Sequence, residues 1–246
     1  MKHAAHWSIT PVKRASSSSD LVRDAARKGA DQGVGFLVEE QTAGRGRRGA
    51  HWASQKGGMY YSVLLCPTIP SMLWFGFSFV ASLAIRDVIA ARLPDYDIAL
   101  KWPNDVFVRG EGKICGILIE ASGNDLIIGT GVNIAPIISV EGAKQPAVAM
   151  ADFDARTPSP LELAEAYKKE LARRCYQYQE NGFAPVRQEW LTHCLHLDAP
   201  MVVDPGKGPI KGVFHDLGED GTLHLLADDG QMHHISTGDV ALLGAV

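Results

Sequence analysis

The sequence predicts an α/β (α+β) protein in which helices flank a mixed β-sheet, with a small all-β unit at its C-terminal end. Three observations carry this. Several short apolar runs bounded by Gly, Asn and Asp follow one another directly, as neighbouring strands do, instead of alternating regularly with helices. Long segments with helical caps and stops lie between groups of these runs. From about residue 197 the texture changes to brief strands divided by Asp-Gly turns. The chain therefore divides into residues 1–196 and 197–246, the second expected to close into a β-barrel of about 50 residues.

The elements follow in order. The opening "MKHAAHWSITPVKR" lacks the apolar core and small-residue cleavage site of a secretion signal. "SSSSDLVRDAARKGA" predicts a helix, with serines at its start, Asp20 near the positive end of the dipole and Gly29 as a stop. "GVGFLVEE" predicts a strand entering an arginine-rich loop, and "MYYSVLLC" a strand after it. "MLWFGFSFVASLAI" is too short to span a bilayer and predicts a core helix from about 71 to 93, capped by Ser71 and ended ahead of Pro94. "IALKWPNDVFV", "GKICGILIE" and "DLIIGTGVNI" predict three strands.

Residues 139–158 have no clean period and predict a surface excursion. At "SPLELAEAYKKELARRCYQYQ" a helix resumes, with Ser159 as cap, Pro160 in the first turn and Glu162 completing an S-x-x-E box. Gly182 ends it, and Pro185 starts a shorter helix reaching about Cys194. "PMVVD", "IKGVFHD", "TLHLLA", "QMHHIS" and "VALLG" are the strands of the C-terminal unit.

A net charge of −4 argues against a protein that coats nucleic acid or an anionic membrane, so any basic site is local. Cys66, Cys115, Cys175 and Cys194 are widely spaced, which suits reduced thiols in the cytoplasm.

The most local basic feature is "GRGRRG" at 44–49, a letter-for-letter match to G-x-G-x-x-G. A dinucleotide loop needs a helix starting within the glycines and an acidic residue about 20 positions on. Here "AHWASQKGG" follows, a poor helix, and no Asp or Glu occurs between Glu40 and Asp87. A P-loop needs Lys and then Ser or Thr after the last glycine, where Ala50 and His51 stand. Both readings fail. What remains is a flexible cationic loop with Arg45, Arg47 and Arg48, followed by the aromatic Trp52. Guanidinium groups grip carboxylate or phosphate in a bidentate manner, although an arginine run is also consistent with a solvated loop or a partner-binding patch.

"KWPND" at 101–105 gathers a cation, an aromatic, a rigid turn, an amide and a carboxylate; Lys113 then opens an apolar strand, and Asn133 follows two glycines in "GTGVN". With "EEQTAGRGRRG", these motifs in this order make the chain resemble the biotin protein ligases over essentially its whole length, the small C-terminal barrel included. The resemblance implies a class II synthetase-like catalytic fold and a two-step reaction. Biotin's carboxylate attacks the α-phosphate of ATP to give biotinyl-5′-adenylate and pyrophosphate, and a lysine of a biotin carboxyl carrier protein then takes the biotinyl group. Packing a carboxylate against a triphosphate brings like charges together, which explains a need for cations.

Carried over by the resemblance, Arg45 and Lys113 are the expected catalytic pair, holding biotin carboxylate and α-phosphate oxygens. Gly44, Gly46 and Arg47 would fold over the intermediate, Arg48 would help closure, and Trp52 would pack beside the nucleotide. Gln41 and Gly116 would meet biotin. Asn104, Asp105 and Asn133 would line the ATP side, with Asp105 a candidate partner for Mg²⁺. Ser18, Ser19 and Asp20 stand where the family commonly has Ser-Thr-Asn; Asp20 can accept from a ureido N–H but cannot donate as Asn does.

Fewer than 20 residues precede Ser18, too few for the DNA-binding domain of some relatives, so no direct DNA contact is expected. A homodimer paired through sheet edges is reasonable by analogy. Two alternatives stay open: a lipoate or octanoyl-type protein ligase, and a non-catalytic binder of biotinyl-adenylate. Residues 44–52 are expected to be mobile or unusually placed without ligand, as a flap that orders over the adenylate.

Overall fold

The computed structural model describes residues 7–137, 146–206 and 208–242. Its larger sheet has seven strands: β1 (Thr10–Ala15), β2 (Gly35–Gln41), β3 (Met59–Leu65), β4 (Ile98–Lys101), β5 (Asp105–Val108), β6 (Gly112–Ser122) and β7 (Asp125–Val132). Their order is β1-β2-β3-β7-β6-β5-β4. Only the β1–β2 pair is parallel, so the sheet is mixed, as expected.

Strand β1 is an addition to the sequence reading. Its mostly exposed residues "TPVKRA" form an outer edge, and such a strand carries no apolar alternation to reveal it. Conversely, "IALKWPNDVFV" is two strands. Lys101 pairs with Asp105 across a tight turn that contains a cis Trp102–Pro103 bond.

Strand alternation gives the sheet two different faces. On one side, Tyr61, Val63 and Leu65 of β3 and Ile128 and Val132 of β7 join the main core with helices α2 (Gly76–Ala90) and α3 (Pro160–Asn181). On the other, Leu64 and Ile127 pack with Val22 of helix α1 (Ser18–Arg27). Ser17 caps α1 by accepting from the Asp20 N–H at 3.1 Å. Ser62, Gly129, Gly131 and Gly116 also lie on the α1 side, beside Tyr60 and Leu118. These small residues form a floor on which Ser18 and Ser19 of α1 meet Ser62 and Gly129, while the Trp52 ring lies against Gly116 and Gly131.

The expected helix over 71–93 is shorter and differently capped. Ser71–Leu73 forms a 3-10 turn, α2 begins at Gly76, and its cap position is Phe75, which makes no side-chain capping bond. The turn is tied off by Trp74 Nε1 donating to Ile69 O at 3.2 Å and by the Tyr178 hydroxyl donating to Leu73 O. These tertiary anchors replace the local cap. Helix α3 starts as its sequence dictates, with Ser159 and Glu162 completing a reciprocal capping box. Helix α4 (Phe183–Thr192) begins two residues before Pro185, which sits in its first turn. Of the irregular stretch 139–158, residues 139–145 lie outside the described residues; Met150–Asp152 forms a 3-10 turn.

The second sheet contains β8 (Pro200–Asp204), β9 (Ile210–Leu217), β10 (Leu223–Ala227), β11 (Met232–Ile235) and β12 (Asp239–Leu242). All its pairs are antiparallel, in the order β11-β10-β9-β8-β12. Among the described residues β11 and β12 do not pair, so the expected barrel is an open five-stranded sheet. The Asp220-Gly221 and Asp229-Gly230 turns form where expected, with φ of 77° and 81° at the glycines. Met201, Phe214, Leu217 and Leu223 of this sheet belong to the same core as α2. Trp102 Nε1 donates to Gly221 O at 3.1 Å, and Arg187 of α4 reaches Asp216 at 2.6 Å.

Candidate functional site

The site forms where the glycine floor meets the start of α1 and the arginine loop. Strand register sets Gly116 opposite Gly131 and Leu118 opposite Gly129. A Cβ on Gly116 or Gly131 would lie 2.8 Å from the Trp52 indole, so both glycines are required for the ring to rest on the sheet. Trp52 is thus half-buried on the floor. Its Nε1 is buried with no hydrogen-bond partner. A buried indole N–H without an acceptor is costly, and a ligand oxygen could remove that cost.

Lys113 flanks the same ring, its Nζ 5.2 Å from the ring centroid, and pairs with Asp105 at 2.7 Å. Its direction comes from an irregularity in the β5–β6 ladder, which shifts register between Val106 and Phe107. That shift brings Nζ 3.2 Å from where a Gly116 Cβ would stand, on the side of the floor.

Ser18 and Ser19 enter from the start of α1. The Ser18 amide and hydroxyl donate to Gln41 Oε1 at 2.7 and 3.2 Å, and Ser18 and Ser19 lie 2.7 and 3.1 Å from the Ser62 hydroxyl. Gln41 Nε2 donates to Ser54 at 2.7 Å. A Cβ at Gly44 would strike the Trp52 carbonyl at 2.5 Å, so this glycine lets the loop close over Gln41 and Ser54. Ser54 and Ser62 were not anticipated. Ser62 had a signal, being the only small hydroxyl residue in the buried run "MYYSVLL".

Asp20 points elsewhere. Its carboxylate receives Arg45 at 2.6 and 3.2 Å, Ser16 at 2.7 Å and Arg23 at 2.9 Å. Arg45 holds this carboxyl well below the usual range, against a smaller opposing effect of burial. Arg23 also reaches Glu120 at 2.7 Å, and Arg45 approaches Glu120 at 3.9 Å. Gly116, Leu118 and Glu120 alternate along one face of β6, so Lys113 and Arg45 stand towards opposite ends of the floor. They are not brought together.

The loop itself folds back, with Arg45 bridging His51, Gly46 N donating to Ala50 O at 2.7 Å, and a 3-10 turn at Arg47–Gly49. Arg48 has a φ of 53°, unusual for a residue with a side chain. No α-helix starts there. Arg47 donates to Asn104 Oδ1 at 3.4 Å and to Thr237 Oγ1 at 2.9 Å, joining the loop, "KWPND" and the second sheet. Arg47 and Asn104 border a cleft of about 450 Å³ between the two sheets, which is also lined by Trp102, Ile117 and Gly221. Asn104 Nδ2 donates to Ile117 O. Asn133 is buried, its Nδ2 donating to Val148 O at 3.1 Å, where it ties down the segment beside Lys113. Among the described residues no group of three or more His, Cys, Asp or Glu side chains is arranged to hold a metal ion.

A cationic loop over a glycine floor, with a lysine at one end and a serine–glutamine cluster in between, suits a ligand that carries both an anionic and a polar uncharged group. The sequence model of the Biotin/lipoate A/B protein ligase family matches residues 13–133, and that of the Biotin protein ligase C terminal domain matches residues 202–243. The chain is 34% identical over 198 residues, 77% of it and 82% of the relative, to a biotin–[acetyl-CoA-carboxylase] ligase of Paracoccus denitrificans. It is 32% identical to the enzyme of that name from Mycobacterium tuberculosis, covering 93% of this chain and 86% of the other. A biotin protein ligase from Aquifex aeolicus, solved in complex with biotin and ATP, superposes with a TM-score of 0.84 at 25% identity, covering 96% of this chain and 99% of that one. The chain belongs to the biotin/lipoate protein ligase family, and within it to the biotin protein ligases.

Proposed function

We propose that this chain biotinylates a carrier protein in two steps. Biotin's carboxylate oxygen displaces pyrophosphate from the α-phosphorus of ATP, giving biotinyl-5′-adenylate. A lysine amine of a biotin carboxyl carrier protein then attacks the acyl carbon, and AMP leaves. The observation that carries this reading is Lys113, set rigidly by Asp105 and the β5–β6 irregularity beside a glycine floor of the family to which the chain belongs. A fixed ammonium there stabilises charge as it accumulates on the α-phosphate oxygens.

Ser18, Ser19 and Gln41 supply the polar groups for biotin's ureido ring, while Gly116 and Gly131 form the apolar wall and Trp52, resting on them, packs beside the nucleotide. Arg47, Arg48, Asn104 and Asn133 frame the ATP side, and Thr237 brings the second sheet to the same edge. The division into residues 1–196 and 197–246 gives each sheet its own unit. Asp105 would hold a Mg²⁺ that accompanies ATP, and such an ion would lower the charge of the phosphates. The four unpaired cysteines fit a reducing compartment, the cytoplasm. A homodimer joined through a sheet edge would use β1, since β4 already pairs with the segment around Cys194.

The test is biotin-dependent exchange of pyrophosphate into ATP with the purified protein, repeated with lipoate. Exchange with biotin and not lipoate is expected. Lipoate-only exchange would establish the lipoate alternative, and absence of both would favour a binder. Lys113→Ala should lower exchange by about a hundredfold or more while circular dichroism remains unchanged. Unaltered exchange removes Lys113 from the mechanism.

A further inference from the structure

Arg45 is expected to meet a ligand anion, yet its guanidinium is already engaged by a carboxylate. Asp20 takes it through two hydrogen bonds, at 2.6 and 3.2 Å, in the fork geometry that a substrate carboxylate or phosphate would use. The pair is neither loose nor fully solvated: the side chains are 36% and 28% exposed. Ser16 fixes the far oxygen of Asp20 at 2.7 Å, and Arg23 bridges Asp20 to Glu120, which draws Arg45 towards the same end of β6. Two arginines and two carboxylates balance in charge. Glu120 Oε2 is nonetheless buried without a hydrogen-bond partner, so the cluster is not saturated. The opposite end of the floor, by Gly116 and Lys113, therefore lacks this guanidinium.

We propose that Asp20 is an internal competitor that parks Arg45 away from Lys113, and that the ligand's anionic group must win the guanidinium from Asp20 as it binds. Asp20 is a positioning residue acting through Arg45, and this role rests on the ligase reading above. An amide at position 20 cannot form the charged pair. A chain with Asp here spends part of its binding energy on opening the pair, and its apparent ligand affinity falls by the fraction of molecules in which Arg45 is released. The same pair anchors the loop 44–52, since Arg45 also bridges His51.

Two measurements on Asp20→Asn test this. The first uses no ligand: limited trypsin digestion, with cleavage after Arg45, Arg47 and Arg48 followed by mass spectrometry. Release of the pair should speed these cuts several-fold relative to cuts elsewhere. The second is calorimetric titration with biotin, biotin methyl ester and ATP separately. Biotin should bind roughly tenfold tighter to the variant while the uncharged ester is unaffected; tightening of ATP alone would identify phosphate as the competing anion. Ser16→Ala, which removes one support of Asp20 without touching α1, should shift both readouts the same way by less, and serves if Asp20→Asn does not fold. Unchanged cleavage, or faster cleavage with anion affinity unchanged or weaker, overturns the proposal. Wild-type protein that binds no biotin would instead defeat the ligase reading, with the digestion still reporting on the pair.

Discussion

At the start of α1, three successive side chains leave in different directions. Ser18 and Ser19 turn to Gln41 and Ser62, and Asp20 turns to Arg45. Helical geometry separates neighbours by about 100° per residue, so adjacent letters need not share a pocket. Another single residue sets a pH response. His196 is buried, and burial, aided by the positive charge of Lys101, pushes its imidazole down to about 4. Its folded value lies below the ordinary one near 6.5, so its contribution to stability is fully present above that pH. It is lost as pH falls towards 4, where the unfolded chain takes up the proton first. Urea unfolding between pH 7 and 4 should show a loss of up to about 3 kcal/mol from this residue, and His196→Gln should flatten that part of the profile. An identical slope in the variant would show that His196 does not titrate on unfolding.

At the scale of elements, the site is a property of β6 and β7 as a pair. Alternation places Gly116, Gly129 and Gly131 on one face, while Ile117, Ile128 and Val132 form the core on the other. Gly131→Val should therefore fold, because its backbone is that of an ordinary strand and valine suits strands. The branched side chain would push the Trp52 indole off the floor. Biotin affinity should drop by at least about tenfold with a change of only a few degrees in Tm, read by calorimetry and thermal melting. Retained affinity would mean that the ring and the ligand do not share this surface. The strands, helices α1, α3 and the two Asp-Gly turns were legible because period, caps and turn residues are local signals. Strand β1 and the short start of α2 were not. One is an edge strand with polar character, and the other is fixed by Tyr178, more than a hundred residues away.

For the whole molecule, the second sheet shares the core that contains α2 and is tied down further by a few specific polar contacts. Arg187 donates to Leu217 O and pairs with Asp216 at 2.6 Å, while Trp102 of "KWPND" donates to Gly221 O. Arg187→Ala should cost about 1–2 kcal/mol, since these groups are partly exposed. Hydrogen exchange should quicken in β9 and β10 and stay unchanged in β3. Equal exchange in both sheets would mean that the core alone holds them together. Trp102 thus has a structural duty within a motif that the sequence reading treated as ligand-facing.

The motifs, their order and the residue types alone determined the family and the presence of a large mixed sheet with a small C-terminal one, because those signals are written in local strings: "GRGRRG", "KWPND", "GKICG" and "GTGVN". Only the tertiary structure decided which of these groups meet. It set Trp52 on two glycines from different strands, joined Arg47 to Thr237 across 190 positions, and placed Arg45 with Asp20 instead of Lys113. Sequence spacing specifies strand faces by alternation, but side-chain partners across a fold depend on register, bulges and packing between distant elements. Those quantities exist only once the chain has closed upon itself.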